Sequence, residues 1–329
     1  MPVRVFSLHP PAAIEGGRIT IEGANFPIDQ PELPEVRVAD VRARVVFASS
    51  QRLAVLVPSG LDSGPAPVSV EDVTGPASIN VALPFATGLH QVDNPVFDAT
   101  GSLYVTYSGS RGQQVPISIF RVRPNGTRET FSAGVVNPTS MAVSPDGVLY
   151  VSSRFEGTVY RVGEDGSVET FATDLGVACG LAFDREGTLF VGDRSGTIFR
   201  IDAGGRTSTL ASLPSSVAAF HLAFGPDGRL YVTGPTLATY DAVYEIDRDG
   251  KVGVRSTAFG RPQGIAFDAH GDLFVVEALA GKSGLYRLKE GAVPELVLAG
   301  PGLVGVAFDQ VGGLVVCSND TAYRLTRFP

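Results

Sequence analysis

The chain has 329 residues, of which 44% are hydrophobic and 18% charged, and it contains 39 glycines, 23 prolines and no tryptophan. This composition is typical of a folded, turn-rich β protein and excludes a disordered chain. The formal net charge of −8 argues against binding to nucleic acid or an anionic membrane through a general positive surface, because both need clustered Lys and Arg.

Targeting signals and a disulfide framework are both missing from the sequence. The N-terminal segment lacks a basic stretch followed by an apolar run, and no later stretch reaches about 18 apolar residues. Cys179 and Cys317 are far apart, so their spacing predicts no disulfide framework. We therefore expect a soluble, cytoplasmic protein, or an exported one if a leader has been removed.

Residues 1–83 contain short alternating runs such as RITIEG from Arg18 and SINVAL from Ser78, separated by Gly and Pro. This pattern predicts a small antiparallel sandwich. The opening has Pro10, then Glu15-Gly16-Gly17, an ITIEG strand and Asn25-Phe26. With these residues, most of 3–83 resembles the immunoglobulin-like TIG (IPT) family. In a binding protein, such a sandwich would be a spacer or a second contact surface.

One phrase recurs six times in the rest of the chain. It reads, for example, FDATGSLYV from Phe97 and FDREGTLFV from Phe183. Each copy predicts a strand, a tight turn and a second strand with alternating large apolar residues. The turn glycine can adopt a positive φ, which other residues rarely do. These glycines, spaced 40 to 46 residues apart, are Gly101, Gly147, Gly187, Gly228, Gly271 and Gly312.

A third strand follows each copy, as in SIFRV from Ser118, and a turn such as PNG leads to a fourth. Four strands per repeat of 40 to 50 residues are typical of a β-propeller blade. We predict an all-β chain, with the sandwich at 1–83 and a six-bladed β-propeller at 84–329. The last copy ends after its third strand, so we expect residues 83–87 to complete the C-terminal blade and remove an open sheet edge.

The repeats resemble NHL-type and regucalcin/gluconolactonase-like propellers over residues 84–329. This resemblance implies that ligands bind where the connections into the first strands meet those between the second and third strands. Three of these connections are long, including TYSGSRGQQVP from Thr106, and they would raise a rim on one side of a pocket. The candidate pocket residues on this face are Asp93, Asn94, Tyr107, Asn137, Arg154, Cys179, Arg194, His221, Gln263, Glu277 and Asn319.

The gluconolactonase resemblance also implies a divalent cation, such as Ca²⁺ or Zn²⁺, held by acid and amide side chains at the starts of the first strands. Among the matching positions, only Asp93 and Gln263 suit a hard cation. The other four matching residues are Thr139, Cys179, Phe220 and Val304, and of these the Phe and Val side chains cannot coordinate at all. We assign no metal site, and Asp93 and Gln263 stay as weak candidates.

Three residues are weak catalytic candidates. His221 with Glu277 or Asp193 could form a base and an orienting acid, and Arg154 or Arg194 could stabilise an oxyanion. Cys179 would need His221 within reach to act as a nucleophile, and a small buried thiol is the favoured alternative. For Asp193, which ends a second strand, we favour a structural role in binding backbone donors of the next connection.

Two functions from different classes follow. The first is a binding module for a small molecule or a protein, with no tight metal site and an asymmetric pocket. The alternative is a lactone or ester hydrolase related to gluconolactonases, in which Asp93, His221, Gln263 or Glu277 converge within about 4 to 6 Å. RNA binding is disfavoured by the acidic charge balance.

Overall fold

The structure is a computed structural model that describes residues 2–29, 32–71 and 73–325. Residues 326–329, which end the predicted C-terminal blade, lie outside the described residues, as does Met1. The described residues form strands joined by turns and loops, which confirms the all-β prediction. Within the described ranges, no helix has the length and apolar character needed to cross a membrane.

The first eight strands build the N-terminal sandwich. They are β1 (Arg4–His9), β2 (Ala12–Ala13), β3 (Arg18–Ala24), β4 (Val36–Val38), β5 (Val41–Ala48), β6 (Arg52–Leu56), β7 (Gly64–Val70) and β8 (Val73–Val81). Apart from β2, they form two antiparallel layers, one with the strand order β1-β3-β6-β5 and the other continuing from β5 through β4, β7 and β8.

Alternating apolar residues build the core of this sandwich. In β3, Ile19 and Ile21 are fully buried, and in β7 Val68 and Val70 are too. All four belong to one apolar cluster, because side chains two apart on a strand point to the same face. Strand β5 joins the two layers, since its first residues pair with β4 and its last residues pair with β6.

The two-residue strand β2 joins the sandwich to the rest of the chain. Ala12 and Ala13 pair in parallel with β8 on one side and with residues Leu298 and Ala299 on the other. The next amide continues this contact, because Ile14 N donates to the Ala299 carbonyl at 3.0 Å. A single hydrogen-bonded sheet of twelve strands therefore runs from the sandwich into the propeller.

The remaining strands form six four-stranded units in a β-propeller arrangement, and each unit pairs its strands in antiparallel order. Units 1 to 3 are β10 (Val96–Phe97), β11 (Leu103–Thr106), β12 (Ile119–Val122) and β13 (Arg128–Ser132); β14 (Pro138–Val143), β15 (Leu149–Ser153), β16 (Thr158–Val162) and β17 (Val168–Ala172); and β18 (Ala178–Phe183), β19 (Leu189–Asp193), β20 (Thr197–Ile201) and β21 (Thr207–Ser212). Units 4 and 5 are β22 (His221–Phe224), β23 (Leu230–Thr233), β24 (Asp241–Ile246) and β25 (Val252–Phe259); and β26 (Pro262–Phe267), β27 (Leu273–Glu277), β28 (Gly284–Leu288) and β29 (Glu295–Ala299). Unit 6 combines β30 (Leu303–Phe308), β31 (Leu314–Ser318), β32 (Thr321–Leu325) and β9 (Leu83–Thr87).

The repeated glycines form the turns between the first and second strands. All six adopt a positive φ, from 77° at Gly101 to 86° at Gly187, which confirms the turn predicted from the repeat. An aspartate often completes this turn: Asp268 Oδ1 accepts the amides of His270 and Asp272, both at 2.9 Å. The repeated phrase thus encodes a hairpin whose conformation needs little support from the rest of the fold.

Strand β9 pairs antiparallel with β32, and Ala86 lies opposite Ala322. Ala86 is 7% exposed and belongs to an apolar cluster that includes Leu103 and Val105 of unit 1 and Cys317 of unit 6. Chain that directly follows the sandwich therefore supplies the fourth strand of the C-terminal unit.

Replacing Ala86 with Asp places a carboxylate in this cluster without a hydrogen-bonding partner. We expect the variant to lose about 2–4 kcal/mol of unfolding free energy, measured by urea denaturation. The matched control is Ala133→Asp in the exposed connection from unit 1 to unit 2, which should change stability little. Equal losses in the two variants would contradict the buried position of β9.

Candidate functional site

A cavity of about 430 Å³ is lined by residues from all six four-stranded units. Its volume falls in the range typical of small-molecule sites. The structure brings six of the candidate pocket residues together in its wall: Asn137, Arg154, Cys179, Arg194, Gln263 and Asn319. The other five candidates, which do not line this cavity, are Asp93, Asn94, Tyr107, His221 and Glu277.

Three arginines line the cavity, and all three lie in connections between second and third strands. Arg111 is in the long connection of unit 1, Arg154 follows β15 directly, and Arg194 follows β19 directly. They therefore come from three consecutive units. No Asp or Glu belongs to the described lining of the cavity, so this wall carries only positive charge.

The arginines differ in how they are held. Arg194 donates to the carbonyls of Ser216 at 3.2 Å and Val217 at 2.7 Å, which fixes its guanidinium against the connection into unit 4. Arg154 is half-buried. Burial lowers the pKa of Arg154, and repulsion from Arg194 and Arg111 lowers it further, while Cys179 acts in the opposite direction. Arg154 is thus close enough to both Arg194 and Arg111 to be repelled by them.

Asp93, His221 and Gln263 form a hydrogen-bonded chain beside the cavity. The His221 ring bonds through Nδ1 to Asp93 Oδ1, and its Nε2 lies 3.2 Å from Gln263 Oε1. His221 is 0% exposed and Asp93 1%, so only Gln263 belongs to the cavity wall. Asp93 Oδ1 also accepts the Asn94 amide at 2.7 Å. The convergence expected for a hydrolase is present for these three side chains, but the imidazole lies behind the wall with both nitrogens occupied.

Glu277 and Asp193 bind backbone amides. Glu277 accepts from Gly260 at 2.6 Å, Arg261 at 2.8 Å and Leu279 at 2.7 Å. Asp193 Oδ1 accepts from Val177 N at 2.8 Å, and its other oxygen accepts from the Ser195 hydroxyl. Both carboxylates are buried, and each fixes the end of a second strand to neighbouring connections. The carboxylate oxygens of both residues therefore accept structural hydrogen bonds, which is the role that we favoured for Asp193 from the sequence.

Asn137 holds the long connection of unit 1 in place. Its Oδ1 accepts Gly112 N at 2.6 Å, and its Nδ2 donates to the carbonyls of Ser108 at 2.7 Å and Ser110 at 2.8 Å. This connection carries Arg111, so Asn137 determines where that arginine stands.

Two of the other polar candidates, Asn94 and Asn319, connect neighbouring units, and Tyr107 packs within unit 1. Asn94 Nδ2 donates to Ile265 O at 2.8 Å, and its Oδ1 accepts Val306 N at 2.9 Å, so it links units 5 and 6. Asn319 donates to Gln91 O at 3.1 Å. Tyr107 packs edge-on against the rings of His90 and Phe120, 6.2 Å away in each case. Asn94 and Tyr107 therefore serve the framework.

Cys179 lines the cavity but is 2% exposed, and its thiol lies 3.3 Å from Val177 O. Burial raises the pKa of the Cys179 thiol to about 12. A thiol with this pKa is almost entirely protonated at neutral pH, and a protonated thiol is a poor nucleophile. The arrangement fits a structural thiol.

Sequence reasoning missed several lining residues, including Arg111, Phe155 and Gln91. Phe155 is 53% exposed, and a Cβ added at Gly112 would lie 3.0 Å from its ring, so the ring packs against the rim connection. The same signal could have identified both Arg111 and Phe155, because both depart from the repeat on the predicted ligand face. Phe155 lies beside Arg154, and Arg111 lies within a long connection.

The gluconolactonase cation positions do not provide a suitable donor set. Asp93 and Gln263 are both engaged by His221, and Phe220 is 1% exposed and carries no donor atom. Cys179 is held as a neutral thiol by burial. Within the described residues, no group of three or more His, Cys, Asp and Glu side chains is placed to hold a metal ion. These residues do not fit Ca²⁺ or Zn²⁺.

Comparison with known proteins supports the two parts of the chain separately. Residues 4–85 match the IPT/TIG domain family. No curated protein matches the chain significantly in sequence. The N-terminal sandwich is thus a TIG domain, which confirms that resemblance.

Several solved structures are similar to this chain over most of its length. An auxiliary nutrient binding protein from Bacteroides ovatus is 13% identical, with 99% of this chain and 98% of that chain covered and a TM-score of 0.56. A gluconolactonase from Xanthomonas campestris is 15% identical, with 91% and 99% covered and a TM-score of 0.61. Virginiamycin B lyase from Staphylococcus aureus is 16% identical, with 89% and 94% covered and a TM-score of 0.53. At these identities the likeness establishes the β-propeller fold alone.

The buried Asp93–His221 pair is expected to matter for stability. Asp93→Ala leaves His221 without its carboxylate partner, and we expect a loss of about 3 kcal/mol in urea unfolding. The control is Glu22→Ala, which removes a half-exposed partner of Arg52 in the sandwich and should cost far less. A loss at Asp93 no larger than that at Glu22 would argue against the pair.

Cys179 should resist alkylation in the folded protein. With a pKa of about 12, only about one thiol in 10⁴ is ionised at pH 8, so iodoacetamide should label it very slowly until the protein is unfolded. An Ala258→Cys variant provides an exposed thiol for comparison. Rapid labelling of native Cys179, read by mass spectrometry, would show instead that its thiolate is accessible.

Proposed function

We propose that this protein is a binding module whose ligand is a small molecule held in the cavity of about 430 Å³. One observation carries the proposal: all six four-stranded units contribute to the cavity, and apart from Arg154 and Arg194, which occupy equivalent positions, the residues they contribute differ from unit to unit. A repeated framework that places non-repeated side chains around one space can give that space specificity.

The proposal includes a six-bladed ring at 84–329 preceded by the TIG domain at 1–83. In support, the first strands of consecutive units contact one another, and β10 of unit 1 contacts both β14 of unit 2 and β30 of unit 6. Pairing of β9 with β32 supports closure by residues 83–87. Each unit then acts as one blade, and the cavity lies at one end of the central channel.

The depression at the other end of the channel is a weaker candidate. It measures about 590 Å³, and its lining includes Phe183, Phe224 and Phe267, which occupy equivalent positions in the repeat. Turn residues such as Asp268 and His270 complete it. Because repeated residues mainly serve the architecture of the blades, this end offers less basis for selectivity.

A small molecule is favoured over a macromolecule as the ligand. The cavity has the volume of a small-molecule site, and the acidic chain, with a net charge of −8, lacks a general positive surface for nucleic acid. The nutrient-binding description of the similar Bacteroides ovatus protein agrees with this choice. A protein ligand stays as the less favoured alternative.

A lactone or ester hydrolase is the second candidate, favoured by the fold shared with a gluconolactonase and by the Asp93–His221–Gln263 chain. Against it, His221 is buried and Glu277 is fully engaged by amides. Elemental analysis and a lactone panel with and without chelator separate the two. We expect no stoichiometric metal and no chelator-sensitive turnover, and finding both would establish the hydrolase.

Filling the cavity should abolish ligand binding without unfolding the protein. Ala218 lines the cavity and donates its amide to Ser216 Oγ at 3.2 Å. We expect Ala218→Phe to remove binding of fragments detected by ligand-observed NMR. The matched control is Ala258→Phe, because exposed Ala258 makes the same contact with Ser256 Oγ at 3.2 Å. Unchanged fragment binding in Ala218→Phe would refute the cavity as the site.

A further inference from the structure

The charge lining the cavity is opposite to that of the whole protein. The chain has 34 acidic residues against 26 Lys and Arg, yet Arg111, Arg154 and Arg194 line this one space without an acidic residue among the described lining. Arg154 and Arg194 directly follow the second strands of their units. The other four units have Tyr107, Gly234, Ala278 and Asn319 at this position, so the repeat does not require arginine there. The third strands carry arginines too, but those recur around the propeller.

None of the three cavity arginines forms an ion pair with a described residue. Arginines of the third strands behave differently: Arg121 pairs with Glu129 at 3.0 Å, and Arg287 pairs with Glu295 at 2.8 Å. Arg194 is oriented only by the carbonyls of Ser216 and Val217. The cavity therefore gathers like charges without neutralising them, and a bound anion would relieve the repulsion.

Carboxylates near the cavity are already committed. Asp93 and Asp193 both lie close enough to Cys179 to raise the pKa of its thiol. Asp93, however, bonds to His221 and to the backbone amide of Asn94. Asp193 bonds to the Val177 amide and to the Ser195 hydroxyl. Both are buried, so neither offers its oxygens to the cavity arginines.

The rest of the lining indicates the size and the body of the ligand. Phe155, Val177 and Val217 provide apolar surface, while Gln263 adds an amide group. Guanidinium groups bind carboxylate and phosphate through paired hydrogen bonds, which suits them to planar or tetrahedral oxyanions. A volume of about 430 Å³ accommodates a small organic molecule around such a group.

We propose that the cavity selects a small organic anion whose carboxylate or phosphate group is bound by Arg111, Arg154 and Arg194. This inference rests on the proposed binding function and names the chemical class of its ligand. Arg194 is the fixed cation, Arg154 is the half-buried one, and Arg111 approaches from the rim connection held by Asn137. The apolar surface contacts the body of the ligand.

Isothermal titration calorimetry with matched probes tests the class of ligand. Benzoate and phenyl phosphate represent the two oxyanions, and benzamide is the neutral partner of benzoate. We expect at least one anion to bind and benzamide to bind at least about tenfold more weakly, because a charged group strengthens each hydrogen bond. Affinity for the anion should fall as NaCl is raised from about 20 to about 200 mM.

Arg154→Gln should weaken binding of the preferred anion about tenfold or more. Arg111→Gln should weaken it too, and because Arg111 lies in the rim connection, this change leaves the buried wall of the cavity intact. The control Arg206→Gln removes an 88% exposed arginine outside the cavity and should leave binding unchanged. Near-UV circular dichroism verifies that each variant is folded.

The outcomes separate this inference from the proposed function. If benzamide binds as well as benzoate, and both arginine variants bind normally, the anion inference is overturned. In that case, loss of benzoate and benzamide binding in Ala218→Phe would still support the cavity as the binding site. Failure of both anions to bind would also overturn the inference, whereas neutral fragments that bind regardless of Ala218→Phe would refute the proposed function itself.

Discussion

Pairing between β9 and β32 is the contact on which the arrangement of the propeller depends. A four-stranded unit buries its faces only against its neighbours, so an incomplete terminal unit would leave an open edge. Here the chain leaving the sandwich supplies the missing strand, and Ala86 packs between units 6 and 1. The same sandwich is hydrogen-bonded to unit 5 through Ala12 and Ala13. Two separate contacts therefore tie it to the propeller.

Within each repeat, recurring and non-recurring residues have different roles, and this difference explains the cavity. Residues that recur, such as the turn glycines and the apolar residues of the strands, build the framework. The connections between second and third strands carry no such constraint, and three consecutive ones contain Arg111, Arg154 and Arg194. A buried acid supports one of these connections: Asp193, which directly precedes Arg194, accepts from the Val177 amide and from the Ser195 hydroxyl.

Much of the fold could be predicted because its signals are local. The spacing of the glycines and the alternation in each hairpin need no tertiary information. The two-residue strand β2 could not be predicted, because two alanines carry no pattern and pair only after the sandwich and unit 5 are in place. For the site, the place of Arg154 and Arg194 in the repeat predicts on which face of the propeller they lie. The burial of His221 could not be predicted in this way, since it depends on how Asp93 and Gln263 from other units surround it.

Hydrogen–deuterium exchange of the full chain measures the closing contact most directly. If β9 completes unit 6, amides of Leu83–Thr87 and Thr321–Leu325 that take part in pairing should exchange as slowly as those of β20 (Thr197–Ile201), which lies inside unit 3. Peptides spanning the exposed connection at residues 289–293, between β28 and β29, give the fast reference. Exchange of the β9 amides at the rate of that connection would contradict the account, because the terminal unit would then lack its fourth strand.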